Sequence, residues 1–331
     1  MMVPMEQRPL PRAHRTLSVI GLGTWQLGAD WGEMSDGEAR AVLDAAVESG
    51  VAFLDTADVY GEGRSEQRIG AFLRDNPSVE LVVATKMGRR VDLDPAFYTF
   101  GNLRSWTDRS RSNLGVDRLD LVQLHCPPTP VYSSDAVFDA LDALVDSQRI
   151  AAYGVSVETC DEALAAIARP GVASVQIILN PFRLKPLEQV LPAARRAGVG
   201  IIARVPLASG LLTGRYSPDT TFAANDHRTY NRHGEAFDQG ETFSGVDFET
   251  GLQAAARFAE LSVPGASPAQ TALRWVIQQP GVTTVIPGAR TPAQARANAA
   301  AADLAPLTDD TLTAVRDLYD THIRTQVHHR W

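Results

Sequence analysis

The sequence contains little cysteine and no long apolar segment. Only Cys126 and Cys160 are present, which excludes a disulfide framework and fits a reducing, cytoplasmic environment. No run of residues approaches the roughly 20 apolar positions of a membrane-spanning helix, and the first residues lack the apolar core of a signal peptide. We therefore expect a chain without membrane partners, beginning with a disordered tail over residues 1–15.

Positive charge is also in deficit. The chain has 31 Lys and Arg against 39 Asp and Glu, a formal net charge of −8, which gives no reason to expect a nucleic-acid partner. The seven histidines show no spacing typical of a metal site, so none is predicted. The 331 residues are 44% hydrophobic and 21% charged, an ordinary globular composition that leaves function and oligomeric state open.

Short apolar runs alternate with amphipathic stretches along the chain. Eight runs have the length and composition of buried parallel strands: 18–22, 51–55, 81–85, 119–125, 151–157, 173–179, 199–205 and 282–286. Helical periodicity occupies the segments between and after them: 35–50 with Ser35 as N-cap, 65–74, 103–114, 134–147, 160–168, 186–197, 248–262, 268–279, 291–302 and 308–322.

This alternation predicts an α/β fold with a parallel sheet. Eight such units close into a (β/α)8 TIM barrel, here with additional C-terminal helices. An open doubly wound sheet is the alternative, and it is disfavoured because no break divides the units into two halves. We predict one barrel domain over residues 16–331. Residues 214–247 form a long loop after strand 7 that is expected to cover a ligand, although its order without ligand stays open.

Ionisable groups stand at the carboxyl ends of three neighbouring strands, where barrel enzymes place their chemistry. Asp55 ends strand 2, Lys86 ends strand 3 and His125 ends strand 4, with Tyr60 in the loop after Asp55. A nearby ammonium favours phenolate, so Lys86 is expected to lower the pKa of Tyr60. Tyr60 would then donate a proton to a substrate oxygen that His125 orients, while Asp55 holds Lys86.

The segments that carry these residues, FLDTADVYGEGRSEQRIG, VVATKMG and LDLVQLHCP, resemble the aldo-keto reductase family. The similarity covers nearly the whole chain and is closest to the bacterial-type branch that includes potassium-channel β subunits. It implies a (β/α)8 enzyme that uses NADP(H) to reduce a small carbonyl substrate. It also implies that Tyr60 is the general acid, that Lys86 and Asp55 tune it, and that His125 and Trp25 contact the substrate.

The resemblance further implies where the cofactor lies. Loops after strands 7 and 8 of barrels often bind phosphate, and here they are RVPLASGLLTGR (204–215) and IPGARTPAQARAN (286–298). The first resembles the pyrophosphate loop and the second resembles the segment that holds the adenosine 2′-phosphate. The predicted cofactor-binding residues are Thr24, Trp25, Asp55, Ser156, Gln176, Arg204, Pro206, Leu207, Ser209, Arg215, Gly288, Arg290, Gln294 and Asn298.

Three positions depart from the family pattern. Val157 follows Ser156 where many relatives have an asparagine, which removes one polar contact. Arg204 stands where many relatives place an aromatic residue on the nicotinamide, although a guanidinium can also stack on a ring. Gly288 stands where a lysine is frequent, which leaves Arg290 as the chief expected ligand of the 2′-phosphate. We expect Arg204, Arg215 and Arg290 to gather positive charge at one rim of this acidic chain.

The leading hypothesis is an NADPH-dependent carbonyl reductase that also works in reverse. The alternative is a cofactor-sensing regulatory or binding module with the same fold and little turnover, as the resemblance to channel subunits suggests. A barrel hydrolase or isomerase is disfavoured because neither a metal cluster nor paired carboxylates are evident. Trp25 and Trp31 are interpreted as one wall of the substrate pocket. The alternative is that they pack in the core.

Overall fold

The structure is a computed structural model that describes residues 5–28, 34–224 and 226–331. Its strands are β1 (Gln7–Leu10), β2 (Arg15–Ser18), β3 (Leu22–Gly23), β4 (Phe53–Asp55), β5 (Val82–Met87), β6 (Leu121–His125), β7 (Tyr153–Ser156), β8 (Val172–Ile178), β9 (Gly200–Arg204) and β10 (Val282–Val285). Its α-helices are α1 (Asp36–Glu48), α2 (Arg64–Asp75), α3 (Phe100–Leu114), α4 (Asp135–Asp146), α5 (Cys160–Ile167), α6 (Val190–Ala197), α7 (His227–Tyr230), α8 (Phe248–Glu260), α9 (Pro268–Gln278), α10 (Pro292–Ala299), α11 (Asp309–His322) and α12 (Arg324–Val327).

Strands β3 to β10 pair in chain order, each parallel to the next. The two ends of this sheet also meet. The backbone N–H of Gly21 donates to the carbonyl of Val285 at 2.8 Å, and that of Gly23 donates to Pro287 at 3.0 Å. These bonds return β10 to the chain segment around β3 and close the ring, so the predicted (β/α)8 fold is confirmed.

Helix boundaries follow local chemistry. Ser35 caps α1, and Glu38 completes the capping box by bonding back to the backbone N–H of Ser35. The predicted helix over 186–197 is shorter in the structure, where α6 begins at Val190. The reason is Pro192, whose ring would clash inside a longer helix but is tolerated in the first turn.

The amino-terminal segment differs from the expected tail. Residues 7–18 form an antiparallel hairpin of β1 and β2, whereas residues 1–4 lie outside the described residues. Leu10 and Leu17 are fully buried and pack on the amino-terminal ends of the barrel strands. Gly200 makes room for the hairpin, because a Cβ at this position would lie 2.2 Å from Leu10 Cδ1. Apolar burial therefore orders a segment whose polar composition suggested disorder.

The long loop after β9 has its own structure. Its described residues, 214–224 and 226–247, include α7 and the short 3-10 helices Gln239–Glu241 and Phe243–Gly245. The loop is held by an aromatic cluster that it shares with the start of α8: Tyr216, Phe222, Phe243 and Phe248. Across the described ranges, no helix combines the length and apolarity needed to cross a membrane.

Candidate active site

The barrel brings the four predicted catalytic residues to one mouth. Asp55 is the last residue of β4, Lys86 lies near the end of β5 and His125 is the last residue of β6. The three strands are neighbours in register, with Asp55 opposite Ala84 and Lys86 opposite Gln123. The side chains converge because parallel strands present their carboxyl ends to the same face.

Lys86 uses all three of its N–H donors within this group. Its Nζ lies 2.5 Å from Asp55 Oδ1, 2.9 Å from the carbonyl of Thr56 and 3.2 Å from Tyr60 Oη. The side chain is only 1% exposed, so these three partners replace water completely. Lys86 is therefore fixed in one geometry, with one donor aimed at the phenol oxygen.

Asp55 is held as firmly as its partner. Its second carboxylate oxygen accepts hydrogen bonds from Gln123 Nε2 at 3.1 Å and Gln176 Nε2 at 2.8 Å. Asp55 is 2% exposed, and a buried carboxylate is tolerable only when its oxygens are bonded in this way. The sequence offered no chemical reason to select Gln123, which packs inside the barrel two residues before His125.

Burial and charge shift the pKa values of Lys86 and Tyr60, and that of Tyr60 differs from the sequence-based expectation. Burial opposes the charge on Lys86, but Asp55 and then Tyr60 outweigh it and raise the pKa of Lys86 above its usual value. Burial raises the pKa of Tyr60, and the Lys86 ammonium offsets only part of that effect. The expected lowered pKa of Tyr60 is therefore wrong, and Tyr60 holds its proton at neutral pH.

His125 is a neutral imidazole at the same mouth. Burial, followed by the cationic charges of Arg89 and Lys86, keeps the pKa of His125 well below its usual value. Its ring meets that of Tyr60 edge to face, with the centroids 6.1 Å apart. Nδ1 has no hydrogen-bond partner within the described residues. A neutral ring retains one N–H, so it can donate a hydrogen bond to a substrate oxygen near Tyr60 Oη.

A close backbone contact fixes the Tyr60 loop. Gly61 has a positive φ of 59°, and a Cβ on it would lie 2.0 Å from the carbonyl oxygen of Gly28. The reverse contact is equally tight, since a Cβ on Gly28 would lie 2.6 Å from the carbonyl carbon of Tyr60. Only glycine at both positions permits this approach, which places Tyr60 beside Trp25 at a ring-centroid distance of 6.0 Å.

A cavity of about 380 Å³ extends from Asp55 and Tyr60 to the amino-terminal ends of α9 and α10. It is lined by the loops after β3, β9 and β10. Thirteen of the fourteen predicted cofactor-binding residues line it: Thr24, Trp25, Asp55, Gln176, Arg204, Pro206, Leu207, Ser209, Arg215, Gly288, Arg290, Gln294 and Asn298.

Two predicted cofactor residues have different surroundings from those expected. Ser156 is outside the lining and 1% exposed, and its hydroxyl accepts a bond from the Cys126 thiol. Arg204 does line the cavity, but its guanidinium pairs with Glu158 at 2.9 Å and with Glu241 at 3.2 Å. Its charge is thus neutralised inside the protein and adds little to an anion-binding rim.

A sequence model of the aldo/keto reductase family matches residues 19–320. The chain belongs to the aldo/keto reductase family. An uncharacterized oxidoreductase of Mycobacterium tuberculosis is 34% identical over 296 residues, which cover 87% of this chain and 85% of that protein. An aldo-keto reductase of Bacillus subtilis is 28% identical over 286 residues, covering 85% and 83% of the two chains. The chain is thus an oxidoreductase of this family.

Solved structures show the same fold. The glycerol dehydrogenase of Gluconobacter oxydans superposes with a TM-score of 0.77 at 29% identity, covering 96% of both chains. An aldo/keto reductase from Klebsiella pneumoniae, solved with NADP and acetate, has a TM-score of 0.69 at 23% identity and covers 95% of this chain and 96% of its own. Both support the barrel assigned above.

Several cavity residues of this aldo/keto reductase were not anticipated from its sequence. Glu241 and Arg228 reach the cavity from the long loop. Ser267, the N-cap of α9, and Gln270, in its first turn, reach it from that helix. The pair Ser267 and Gln270 forms a capping box, a signal that was visible in the sequence but indicated only a helix start. Trp31, the second predicted substrate wall, lies outside the described residues.

Proposed function

We propose that this chain reduces an aldehyde or ketone to an alcohol with NADPH and catalyses the reverse oxidation with NADP. One observation carries the proposal: the phenol of Tyr60 lines the cavity beside Asp55, and Lys86 Nζ lies 3.2 Å from its oxygen. A proton donor backed by a fixed cation suits an oxygen that gains negative charge during reduction.

The cavity has the features that NADP(H) requires. Gly288 and Gln26 are in close contact in its wall, since a Cβ on Gly288 would lie 2.4 Å from the Gln26 side chain. Arg215 and Arg290 line the outer part, both exposed, and the amino-terminal turn of α10 favours an anion beside Arg290. These groups would hold the pyrophosphate and the 2′-phosphate. The preference for NADP(H) also agrees with an NADP(+)-named relative from Schizosaccharomyces pombe.

The bound cofactor supplies the hydride, and the chain supplies the proton. His125 donates a hydrogen bond to the carbonyl oxygen and orients it toward Tyr60. Tyr60 then transfers its phenolic proton to that oxygen as negative charge develops there. Lys86 stabilises the resulting phenolate and stays charged, because its pKa is raised. In the oxidation direction the phenolate accepts the proton instead.

The long loop and the ring of Trp25 exclude water from the proton transfer. Trp25 contacts His227 at a centroid distance of 5.2 Å and Phe237 at 6.2 Å, so the loop packs on the same ring that flanks Tyr60. Excluding water strengthens the interactions of Lys86 and Tyr60.

Both cysteines are buried thiols, which agrees with an enzyme of the reducing cytoplasm.

The test is a substrate panel assayed with NADPH and NADH side by side. Relatives named glycerol dehydrogenase and D-threo-aldose 1-dehydrogenase place polyols, aldoses and short aliphatic aldehydes in the panel. The expected result is turnover with NADPH at a higher kcat/KM than with NADH. Tight NADPH binding without turnover on any carbonyl or alcohol would instead favour a cofactor-sensing module.

A further inference from the structure

Four charged side chains form a closed ring next to the catalytic histidine. The carboxylate of Glu158 lies 2.9 Å from Arg89 Nη2 through Oε1 and 2.9 Å from Arg204 Nη2 through Oε2. Glu241 Oε1 lies 3.2 Å from Arg204 Nη1 and 3.6 Å from Arg89 Nη1. Each carboxylate therefore touches both guanidiniums, and the two positive and two negative charges cancel.

The ring joins parts of the chain that are far apart in sequence. Arg204 ends β9, Arg89 follows β5 and Glu158 follows β7, whereas Glu241 belongs to the long loop. Arg89 Nε donates to the carbonyl of His125 at 3.2 Å. The carbonyl of Glu241 accepts a bond from the Ser209 hydroxyl at 2.8 Å. Glu241 is thus the one ring member that ties the long loop to the barrel.

The contacts of Arg204 fix the plane of its guanidinium. Nη1 is held by Glu241, and Nη2 is held by Glu158 and by the carbonyl of Val157 at 3.1 Å. Its side chain is 8% exposed. Of the four ring members only Arg204 and Glu241 line the cavity, so the ring presents a flat guanidinium and its carboxylate partner to a ligand.

A metal ion does not explain these residues. Ligand atoms of Cys126, Glu158 and Glu241 lie within 4.8 Å of one another, but the carboxylates already face guanidiniums. Burial, reinforced by Glu158, raises the pKa of Cys126 to about 12, so the group is a thiol and a poor metal ligand. The cationic partners of Glu158 and Glu241 are the two arginines.

We propose that Glu241 is a positioning residue for the cofactor. It fixes the plane of Arg204 as a wall for the nicotinamide end of NADP(H) and holds the long loop against that end. This inference rests on the proposed function, because the ligand is the same dinucleotide. Loss of the Glu241 charge releases one edge of Arg204 and leaves an uncompensated cation at the inner end of the cavity.

The variant Glu241→Gln tests the proposal in the full-length protein, with Glu235→Gln as its matched control. Glu235 is an exposed glutamate of the same loop and lies outside the cavity lining. Glu241→Gln is expected to raise both the Kd and the KM for NADPH about tenfold, the effect of one lost charge-assisted hydrogen bond. Its kcat at saturating NADPH is expected to fall by a smaller factor than the affinity, because the proton donor is unchanged. The control is expected to match the wild type in all three values.

A folded Glu241→Gln protein with wild-type Kd for NADPH would overturn the proposal. If that variant does not fold, the double variant Arg204→Gln, Glu241→Gln replaces both charges with amides, and it is expected to lose NADPH affinity by a similar factor. Wild-type affinity in the double variant would equally overturn it. A wild type that binds NADPH without turnover contradicts the proposed function instead, and the Kd comparison still decides the role of Glu241.

Discussion

The Lys86→Met variant is expected to lower kcat strongly while leaving NADPH binding nearly unchanged. Methionine keeps an unbranched side chain, one heavy atom shorter than that of lysine, and removes its charge. Across the 3.2 Å between Lys86 Nζ and Tyr60 Oη, an effective dielectric constant of about 20 gives an attraction of about 5 kcal/mol for a full phenolate. Partial charge in the transition state reduces this to about 3–4 kcal/mol, or a 10²–10³-fold loss of kcat.

The assay is NADPH consumption at saturating carbonyl, with the Kd for NADPH measured separately by titration. Lys86 does not line the cavity, so the Kd is expected to change by less than about threefold. Lys185 is the only other lysine in the chain, and Lys185→Met is therefore the matched control. Since the variant leaves Asp55 without its cation, the double variant Lys86→Met, Asp55→Asn guards against unfolding. A folded Lys86 variant with kcat within threefold of the wild type would refute the role of the ammonium.

Three further outcomes follow from the charges on the described residues. Both carboxylate oxygens of buried Asp58 lack hydrogen-bond partners there, and burial, reinforced by Glu66, raises its pKa from 3.8 to about 7. Between about pH 4 and 7 the folded state binds a proton that the unfolded state has lost, so stability falls as pH rises through this interval. Asp58→Asn is therefore expected to raise the Tm by a few degrees at pH 8 but not at pH 4. Equal Tm values for the variant and the wild type at pH 8 would contradict this. Arg290→Ala is expected to raise the KM for NADPH about tenfold and the KM for NADH less than twofold, and equal effects on both cofactors would remove Arg290 from the 2′-phosphate site. His125→Asn is expected to lower kcat/KM about 10–100-fold. The shape of the pH–rate profile near pH 7 is expected to stay unchanged, because the pKa of His125 lies well below its usual value.

The sequence allowed the barrel and its mouth to be predicted because both depend on local pattern. Each strand is a short apolar run, and barrel order places Asp55, Lys86 and His125 together whatever the details of packing. The hairpin at residues 7–18 escaped prediction because only two buried leucines, Leu10 and Leu17, distinguish it from a polar tail.

The charges of the site could not be predicted to the same depth. The sequence shows that Arg204 is cationic, but its partners Glu158 and Glu241 come from two other loops, and nothing in their local sequence marks them as a pair. The predicted pKa shift of Tyr60 was wrong for a related reason. The proximity of Lys86 can be inferred from strand order, whereas burial of the phenol, which exceeds the effect of the ammonium, depends on the packing of the whole mouth.

The most direct test of the account is the Tyr60→Phe variant, which removes one oxygen atom from the site. Its NADPH affinity is expected to stay within about threefold of the wild type, since the ring and its contact with Trp25 remain. Its single-turnover rate of NADPH oxidation by a carbonyl substrate is expected to fall at least about 10³-fold, because the proton donor is gone. A Tyr60→Phe protein that oxidises NADPH at the wild-type rate would contradict the assignment of Tyr60 as the general acid.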